Sequence, residues 1–382
     1  MRILFFNEST VVKGGIDTVI NSEINALRAR GIETRLLEIS HKELLNKSYF
    51  DKAKLFFNRK KKIEIIRKQL ESFKPIIIHI HNSYPFFREN IWSDSAFDNV
   101  KKVFHLHNFY PICPNSFCYT SGAICSDCLT NNGYSKAIKY ACYDNSMLKT
   151  CLTTINRPQP KEWLENSLKI DRYIAVSKFL FDKYLEFGLD RSKITEIPNG
   201  LEFDKRVIYD PNGSYVLFLG NIVLSKGIEI VFQLAVMNPE MKFVIAGVGR
   251  DLEFIKIKYR GLCNVEYVGF VENEVKVRLI KNSKLLLFPV QSWEAFGLAA
   301  LESLICGKPV VTSGLGATSE LIVDGENGII VKSNKIEEYD RAIKKIWNGV
   351  MHYSNDTWQI HLEKYTLAKH VNSLADLYHN VL

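Results

Sequence analysis

The chain has 382 residues, 46% of them hydrophobic and 24% charged, which is a composition typical of soluble globular proteins. A chain of this length exceeds what one hydrophobic core usually holds, so two domains are expected. No apolar run reaches the roughly 18 to 20 residues that a membrane-spanning helix needs. The apolar start, Ile3 to Phe6, is too short for a secretory signal peptide. These features argue against an integral membrane protein and predict a cytoplasmic one.

The net charge of +8 is concentrated in the first half of the chain. Residues 1–200 hold 30 Lys and Arg against 21 Asp and Glu, whereas residues 201–382 hold 20 against 21. The densest basic run, residues 59–62 preceded by Lys52 and Lys54, has apolar neighbours, as in an amphipathic helix that lies on an anionic membrane. A solvated helix face is the alternative. No nucleic-acid-binding motif accompanies the basic residues, so nucleic acid is not expected as a partner.

The first two hundred residues alternate predicted strands and helices. The loop after the first strand ends with Lys13, Gly14 and Gly15, and a glycine pair there lets the backbone approach a ligand at the N-terminus of the following helix. Strands separated by helices predict a doubly wound, mostly parallel sheet. The predicted strands are Arg2–Phe6, Glu33–Ile39, Ile76–His81, Lys102–His107, Asp171–Val176 and Ile194–Ile197.

Histidines fall at the ends of two successive predicted strands, at His79 and His81 and then at His105 and His107. Ligands of doubly wound sheets bind outside the carboxyl ends of the strands, and His107 lies closest to that edge. Near neutral pH an imidazole can act as a base or orient a hydroxyl group. We therefore expect His107 in a functional site, with a purely structural role as the alternative.

Six of the eight cysteines fall between Cys113 and Cys151. Cys125 and Cys128 form a single CxxC pair, whereas the other candidate ligands, Cys113 and Cys142, are isolated, so the spacing of a zinc site is incomplete. Disulfides are not expected in a cytoplasmic protein. Reduced thiols are the main expectation, with a structural metal and redox chemistry as alternatives.

A second domain is predicted to begin after Pro198, which closes the first. The predicted domains are therefore residues 1–198 and 199–365, with a final helix, residues 366–382, that returns to the first domain. The strands predicted for the second domain are Val216–Gly220, Lys242–Gly247, Asn264–Val268, Leu285–Phe288, Pro309–Thr312 and Ile329–Val331.

The stretch from Leu286 to Gly328 carries two carboxylates with the spacing of a site. Glu294 falls in the loop after a buried strand, and Glu302 falls on the helix that follows. A helix rises about 1.5 Å per residue, so both carboxylates can reach one ligand from different sides. Such groups accept hydrogen bonds from the hydroxyls of a polyol.

The residues near Glu294 and Glu302 indicate whether these carboxylates form a surface pair or a ligand-binding site. Phe296 and Leu298 make the surroundings apolar, which a solvated helix face would not require. Gly297 leaves its backbone N–H open at a helix start, where the helix dipole favours an anion such as phosphate. The stretch therefore predicts a site for a ligand with hydroxyl groups and a phosphate.

In these residues the chain resembles glycosyltransferase family 4, the retaining enzymes that use nucleotide sugars and have the two-domain GT-B fold. The most specific part is the Glu-x7-Glu motif, Glu294 to Glu302, followed by a glycine-rich stretch to Gly328. The resemblance covers almost the whole chain. The Cys-rich segment resembles a bacterial subset that extends lipid-linked saccharides at the inner membrane face. The supporting matches are Gly14, Gly15, His107, Pro198, Asn199, Gly200, Gly220, Lys226, Gly227 and Gly269.

The resemblance implies an α/β protein of the GT-B class, with two Rossmann-like doubly wound domains facing a central cleft. It implies that Glu294 contacts the donor sugar, Glu302 the nucleotide ribose and Lys226 the donor diphosphate. His107 would lie near the transferred sugar and the acceptor, which makes His107, Glu294 and Lys226 the candidate catalytic residues. The residues expected to bind the donor are Gly14, Gly15, Asn199, Asn221, Lys226, Gly269, Glu294, Phe296, Gly297, Leu298 and Glu302.

Sugar transfer from a nucleotide sugar develops negative charge on the diphosphate, so fixed cations and helix N-termini near the leaving group lower the barrier. Lys226 and backbone amides can supply this, and no metal or cofactor is expected for the reaction. Many family members carry Arg where this chain has Asn221, and Asn supplies no positive charge. This departure puts catalytic efficiency in doubt more than fold.

The predicted function is hexose or N-acetylhexosamine transfer from a nucleotide sugar, with UDP favoured over GDP. The predicted acceptor is a polyprenyl-diphosphate-linked or other saccharide of bacterial O-antigen, lipopolysaccharide or capsule synthesis. The protein would be peripheral on the anionic inner face of the plasma membrane. The alternatives are a sugar-nucleotide epimerase of the same fold, and a catalytically weak homologue that binds a membrane or a partner.

Overall fold

The computed structural model describes residues 1–9, 14–40, 58–84, 87, 89–155, 157–203, 207–333, 335–351, 353 and 355–382. Lys13, Lys52 and Lys54, named above, lie outside these residues. The chain forms two compact units. The first comprises Met1–Ser116, Ser126–Glu202 and Tyr365–Leu382, and the second comprises Phe117–Cys125 and Phe203–Lys364.

The strands of the two large sheets lie close to the predicted positions, and many of them contain a short buried apolar run. A short antiparallel pair, residues 119–120 and 123–124, was not predicted. The strands are β1 (Arg2–Ser9), β2 (Glu33–Ser40), β3 (Ile77–Asn82), β4 (Lys101–Leu106), β5 (Tyr119–Thr120), β6 (Ala123–Ile124), β7 (Arg172–Ala175), β8 (Ile194–Glu196), β9 (Val216–Leu219), β10 (Phe243–Ala246), β11 (Val265–Gly269), β12 (Leu285–Phe288), β13 (Val310–Thr312) and β14 (Gly328–Ile330).

The helices lie between these strands in both units. They are α1 (Gly15–Ala29), α2 (Arg59–Phe73), α3 (Asp127–Thr130), α4 (Ser135–Lys139), α5 (Met147–Thr154), α6 (Pro160–Ser167), α7 (Lys178–Glu186), α8 (Ile228–Met237), α9 (Leu252–Lys258), α10 (Asn273–Asn282), α11 (Leu298–Ile305), α12 (Thr318–Leu321), α13 (Ile336–Trp347), α14 (Asn355–Leu362) and α15 (Leu367–Val381). Short 3-10 turns are Glu89–Ser93, Ser95–Phe97, Arg191–Lys193, Leu224–Lys226 and Glu363–Tyr365.

Each unit is built on a six-stranded sheet whose strand pairs are all parallel. The order is β2-β1-β3-β4-β7-β8 in the first unit and β11-β10-β9-β12-β13-β14 in the second. The second order is that of a Rossmann sheet, in which the order of successive strands changes direction between β9 and β12. Strands that alternate with helices give this topology because parallel neighbours need a crossover connection. The prediction of two doubly wound sheets is confirmed.

The last helix, α15, belongs to the first unit. Its buried residues Val371, Leu374 and Tyr378 share a hydrophobic core with Ile24 and Leu27 of α1. This core lies against the apolar residues of β1 and β3. The end of the chain is therefore part of the structure that holds α1 in place.

The Pro-Asn-Gly segment at residues 198–200 brings the chain against α15. The Leu201 N–H donates to the Tyr365 carbonyl at 2.9 Å. A Cβ atom on Gly200 would lie 2.6 Å from the carbonyl oxygen of Thr366 and 2.7 Å from Cβ of His370. Only glycine fits this crossing without displacing the backbone.

The basic helix α2 packs its apolar side against the first unit. Ile66 and Phe73 are buried, whereas Lys60 and Lys61 are exposed. Arg59 pairs with Asp94 at 2.7 Å. Ile63 and Ile65, nearer the basic run, are half-buried. Among the described helices, none combines the length and the apolar character required to span a membrane.

Candidate active site

In the second unit, Lys226 and Glu294 lie where the order of successive strands changes direction, between β9 and β12. Lys226 ends the 3-10 turn that follows β9, and Glu294 lies in the loop that follows β12. The strands β9 and β12 are neighbours, and their outgoing connections lead in opposite directions along the sheet. The crevice outside such a reversal is where ligands of Rossmann-like sheets bind.

Lys226 and Glu294 form an ion pair, with the Lys226 Nζ donating to Glu294 Oε2. Both side chains are mostly shielded, at 18% and 12% exposure. The Lys226 Nζ also lies 6.0 Å from the centre of the Phe288 ring. The sequence therefore places a cation and a carboxylate in one partly apolar pocket wall, where charge interactions are stronger than in water.

The two loops that carry this pair are held together by their backbones. The Ser225 carbonyl accepts hydrogen bonds from the N–H groups of Gln291 at 2.8 Å and Ser292 at 3.2 Å. Gly227 has a left-handed conformation, φ 76°, and a Cβ there would lie 1.8 Å from the Pro289 carbonyl oxygen. The Lys-Gly dipeptide therefore both supplies the cation and permits the close approach.

The backbone of Glu294 is fixed from its other side by Gly316. These residues form an isolated parallel bridge, and the Ala317 N–H donates to the Glu294 carbonyl at 2.8 Å. Gly316 has φ 75°, and a Cβ there would lie 2.3 Å from that carbonyl oxygen. The glycine-rich stretch after β13 thus serves to position Glu294.

The helix that carries Glu302 begins at Leu298, after Gly297 in a left-handed conformation with φ 96°. Phe296 is buried and Leu298 half-buried. A Cβ on Gly297 would lie 3.3 Å from Cδ1 of Leu321. The glycine therefore turns the chain sharply from the Glu294 loop into α11.

Glu302 is paired with Lys276 of α10, a partner that sequence reasoning missed. The Lys276 Nζ donates to Glu302 Oε1, and both side chains are at most one-fifth exposed. Burial raises the pKa of Glu302, although Lys276 opposes this rise. Helical position alone gave no signal for Lys276, because its pairing with Glu302 depends on how α10 packs beside α11.

Other predicted donor residues lie at strand ends. Gly269 ends β11 with φ 74°, and its carbonyl accepts from the Gly247 N–H at 2.7 Å. Asn221 is exposed just beyond β9. Asn199 belongs to the first unit, where it is buried, and its Oδ1 makes no hydrogen bond within the described structure.

Gly14 and Gly15 lie at the start of α1, as predicted, but the Gly14 amide already has a partner. Its N–H donates to Asp17 Oδ2 at 2.8 Å, and Asp17 Oδ1 accepts from Asn7 Nδ2 at 3.3 Å. A carboxylate of the chain thus occupies the anion-favouring helix start. A phosphate reaching this amide would have to displace Asp17.

In the first unit, the predicted residue His107 is the outer member of a buried polar cluster. Its Nε2 lies 2.9 Å from Nδ1 of His81, and His81 Nε2 lies 3.2 Å from Glu23 Oε2. His107 is half-buried, whereas Glu23 and His81 are buried. Sequence reasoning singled out the histidines but not Glu23. The signal was available, since Glu23 stands among the core-facing positions of an apolar helix stripe.

Burial sets the charge of this cluster. It lowers the pKa of His107 well below its ordinary value, and the neighbouring His81 lowers it further. Burial also lowers the pKa of His79 and His105 well below the ordinary value. For Glu23 burial alone would raise the pKa, but His81 and the other histidines hold it well below the ordinary value. At neutral pH, His107 is therefore a neutral imidazole.

The cysteines of the Cys-rich segment form no disulfides among the described residues. The Cys113 Sγ contacts Asn115 Oδ1 at 3.0 Å, and Cys128 is buried beside Tyr134. Over the described ranges, the one group of His, Cys, Asp and Glu side chains close enough to share a metal ion contains no cysteine. The structure adds no support for a metal bound by Cys113, Cys125, Cys128 and Cys142.

Comparison with known proteins identifies the family. The family described as Glycosyltransferase Family 4 matches residues 13–205, and the family described as Glycosyl transferases group 1 matches residues 202–353. Together these matches cover both compact units.

Curated relatives agree with this assignment. The D-rhamnosyltransferase WbpZ of Pseudomonas aeruginosa is 27% identical over 56% of this chain and 59% of its own length. An uncharacterized 41.2 kDa protein in the cps region of Klebsiella pneumoniae is 23% identical over 99% of both chains. In several other matches the chain spans about half the length of the relative.

Solved structures show the same fold over the whole chain. Anabaena Alr3699/HepE in complex with UDP-glucose matches with a TM-score of 0.65 and 16% identity, covering 100% of both chains. The apo form of the lipopolysaccharide outer core galactosyltransferase WaaB matches with a TM-score of 0.65 and 16% identity, also over 100% of both chains. These likenesses confirm the predicted GT-B class. The chain therefore belongs to glycosyltransferase family 4.

Proposed function

We propose that this protein is a retaining glycosyltransferase that moves a hexose or N-acetylhexosamine from a UDP-sugar to a lipid-linked saccharide in bacterial surface polysaccharide synthesis. The observation that carries the proposal is the Lys226–Glu294 ion pair at the reversal point of the second sheet. That position suits a nucleotide sugar, because the cation can face a phosphate while the carboxylate faces a sugar hydroxyl.

Lys226 can contact Glu294 and the donor diphosphate at the same time. An ammonium group has three N–H donors, so one can remain on Glu294 while others bind oxygens of the donor diphosphate. As the bond between the anomeric carbon and the diphosphate breaks, negative charge grows on the leaving group. A fixed cation in a shielded site stabilises that charge more than it stabilises the bound substrate.

Glu302 is suited to the nucleotide ribose. Lys276 contacts its Oε1, which leaves Oε2 as an acceptor for a ribose hydroxyl. Lys276 also stabilises the ionised, hydrogen-bond-accepting form of Glu302 against the effect of burial on its pKa. The pair therefore contributes binding and orientation rather than bond breaking.

The proposed reaction replaces one C–O bond at the anomeric carbon with another. The acceptor hydroxyl oxygen bonds to the anomeric carbon on the face from which UDP departs, and the hydroxyl proton passes to the departing diphosphate. His107 is a neutral imidazole at the outer end of its cluster, suited to form a hydrogen bond with a sugar hydroxyl. No metal ion is needed in this scheme.

The donor and pathway rest on the relatives. HepE was solved with UDP-glucose, which supports UDP as the donor nucleotide. WbpZ transfers D-rhamnose, and the Klebsiella relative is encoded in a cps region. These names support surface polysaccharide synthesis as the setting, with a lipid-linked saccharide as the acceptor.

A membrane-bound acceptor fits the exposed side of α5 better than it fits α2. Met147, Leu148 and Leu152 of α5 and Ile155 just after it are 45% to 71% exposed. Lys149 lies next to them and pairs with Asp144 at 3.1 Å. An apolar helix face beside a cation is the pattern of an interfacial helix. We propose that this face contacts the inner leaflet of the plasma membrane, together with the excess positive charge of the first half of the chain.

A donor panel tests the proposal. The full chain is incubated with UDP-glucose, UDP-galactose, UDP-N-acetylglucosamine, UDP-N-acetylgalactosamine and GDP-mannose, with and without a short polyprenyl-diphosphate-linked saccharide. We expect transfer from one UDP-sugar, with the anomeric configuration retained when the product is examined by NMR. Inversion, or use of GDP-mannose alone, would contradict the proposal. Formation of an epimer of the donor sugar in the absence of acceptor would instead show that the protein is a sugar-nucleotide epimerase.

A further inference from the structure

The first unit contains a second constellation of chemical groups that sugar transfer does not use. Glu23 of α1, His79 and His81 of β3, and His105 of β4 are all buried. One candidate ligand atom from each side chain lies within 4.8 Å of those of the other three. Four potential ligands from three elements thus converge inside the unit rather than at its surface.

Several buried polar atoms of this cluster have no hydrogen-bond partners in the described structure. They are Glu23 Oε2, His79 Nε2, His81 Nε2 and both ring nitrogens of His105. His81 Nε2 lies 3.2 Å from Glu23 Oε2, but the two groups are not aligned for a hydrogen bond. Unsatisfied buried polar groups destabilise a folded protein, so several together call for a shared partner.

Other polar atoms of the same side chains have partners. The Tyr378 hydroxyl lies 2.6 Å from His79 Nδ1, and His107 Nε2 lies 2.9 Å from His81 Nδ1. His370 Nε2 lies 2.9 Å from Glu23 Oε1. His81 and Glu23 are thus oriented as in metal sites, where one atom of an imidazole or carboxylate is hydrogen-bonded and the other is directed to the ion.

We propose that Glu23, His79, His81 and His105 form a structural binding site for a divalent transition-metal ion, with Zn²⁺ as the best fit. Imidazole nitrogens with one carboxylate oxygen are borderline-soft donors of the kind that Zn²⁺ and Co²⁺ prefer over Mg²⁺ or Ca²⁺. Four protein ligands leave no open position, which is the arrangement of structural rather than catalytic zinc. The ion would join α1 to β3 and β4.

This site would also act on His107, a consequence that rests on the proposed function. A metal on His81 Nε2 leaves the His81 proton on Nδ1, from which it is donated to His107 Nε2. His107 then carries its own proton on Nδ1. The buried ion would thus select the tautomer of the imidazole proposed to face the acceptor.

Metal content and cobalt substitution test the site in the full chain, purified without a histidine tag. We expect about one tightly held Zn²⁺ per chain by elemental analysis, as in structural zinc sites. After removal of the ion by a chelator, added Co²⁺ should give the visible absorption of a tetrahedral ion, and added Zn²⁺ should raise the unfolding temperature. A cobalt spectrum with a thiolate charge-transfer band would assign the ion to cysteines and overturn the proposal.

Matched variants locate the ion. His105→Gln should weaken Zn²⁺ binding at least about tenfold, a typical consequence of altering a metal site, whereas His379→Gln, at an exposed histidine of α15, should leave it unchanged. Equal binding by both variants overturns the assignment. A folded wild-type chain that gives neither a cobalt spectrum nor a zinc-dependent rise in unfolding temperature overturns it without any variant.

Discussion

The Lys226 ammonium group donates a hydrogen bond to the Glu294 carboxylate across 68 residues of sequence. The pair lies where β9 and β12 meet, so it depends on the sheet order and not on any local motif. Each of the two residues has a proposed role that can be tested separately from folding.

Lys226→Met should lower kcat/KM for the nucleotide sugar by roughly 10² to 10³, the usual cost of removing one group that stabilises transition-state charge. The matched control is Lys242→Met, because Lys242 forms an ion pair with Glu266 at 2.6 Å in which both side chains are about half exposed. That exposed pair contributes little to stability or function. Steady-state kinetics with equal losses in both variants would contradict the role of Lys226.

Gly316→Ala should abolish most activity because it displaces the backbone of Glu294. The left-handed conformation alone costs a non-glycine residue about 1 to 2 kcal/mol, and the overlap of a Cβ with the Glu294 carbonyl adds about 1 to 3 kcal/mol. Gly325 has a similar φ of 84° but no atom within 4 Å of a Cβ. Gly325→Ala should therefore show the conformational cost alone. Equal unfolding midpoints and equal kcat values in the two variants would show that Gly316 does not position the backbone of Glu294.

Strand positions were predictable because buried parallel strands are continuous apolar runs, as at Leu285–Phe288. The positions of Glu294 in the loop after β12 and of Gly297 at the start of α11 were predictable because these residues are local in sequence. Lys276 was not, because its pairing with Glu302 depends on how α10 packs beside α11. A partner chosen by tertiary packing leaves no periodic signal.

Glu23 illustrates a signal that was present but weak. It follows Ile20 and precedes Leu27 at helical spacing, so it occupies a core-facing position of α1. A buried carboxylate requires partners, and here they come from β3, β4 and α15. Alternation predicts that neighbouring strands direct histidines to one face, but not that a helix supplies the carboxylate between them.

Lys276→Met should raise KM for the donor about tenfold while changing kcat little, since it acts on binding of the ribose through Glu302. Without Lys276, burial is left to raise the pKa of Glu302 unopposed, so the carboxylate becomes a poorer acceptor. Lys281→Met, on the same helix at an exposed position, is the control. Titration of UDP into both variants would separate a binding effect from a catalytic one. Unchanged UDP affinity in Lys276→Met would remove Glu302 from the nucleotide site.

Acid should destabilise the first unit through His79 and His105. Burial lowers the pKa of both, so below the unfolded-state value of about 6.5 the unfolded chain binds more protons than the folded chain. Stability is therefore full above that pH and falls by about 1 kcal/mol per histidine between pH 6.5 and 5.5.

Denaturant unfolding at several pH values, with a chelator present, measures this dependence. His105→Gln should flatten it, whereas His379→Gln, at the exposed histidine, should preserve it. Stability that is constant or rises on acidification would show that the buried imidazoles are not held neutral.

Gly200→Ala should loosen the last helix from the first unit. A Cβ at this position overlaps the Thr366 carbonyl and Cβ of His370, and such overpacking costs about 1 to 3 kcal/mol. The overlap lies at the start of α15, whose buried residues complete the core beneath α1. Hydrogen exchange should therefore increase along residues 367–381.

The control for this substitution is Gly133→Ala, because Gly133 has no left-handed φ and its nearest neighbour would lie at an ordinary 3.5 Å from a Cβ. We expect Gly133→Ala to unfold near the wild-type midpoint, and Gly200→Ala to unfold earlier with faster exchange in α15. The His370 contact to Glu23 should weaken with it, since His370 Nδ1 also contacts the Pro198 carbonyl at 2.7 Å. Equal midpoints and equal exchange in the two variants would show that the Pro-Asn-Gly crossing does not secure the end of the chain.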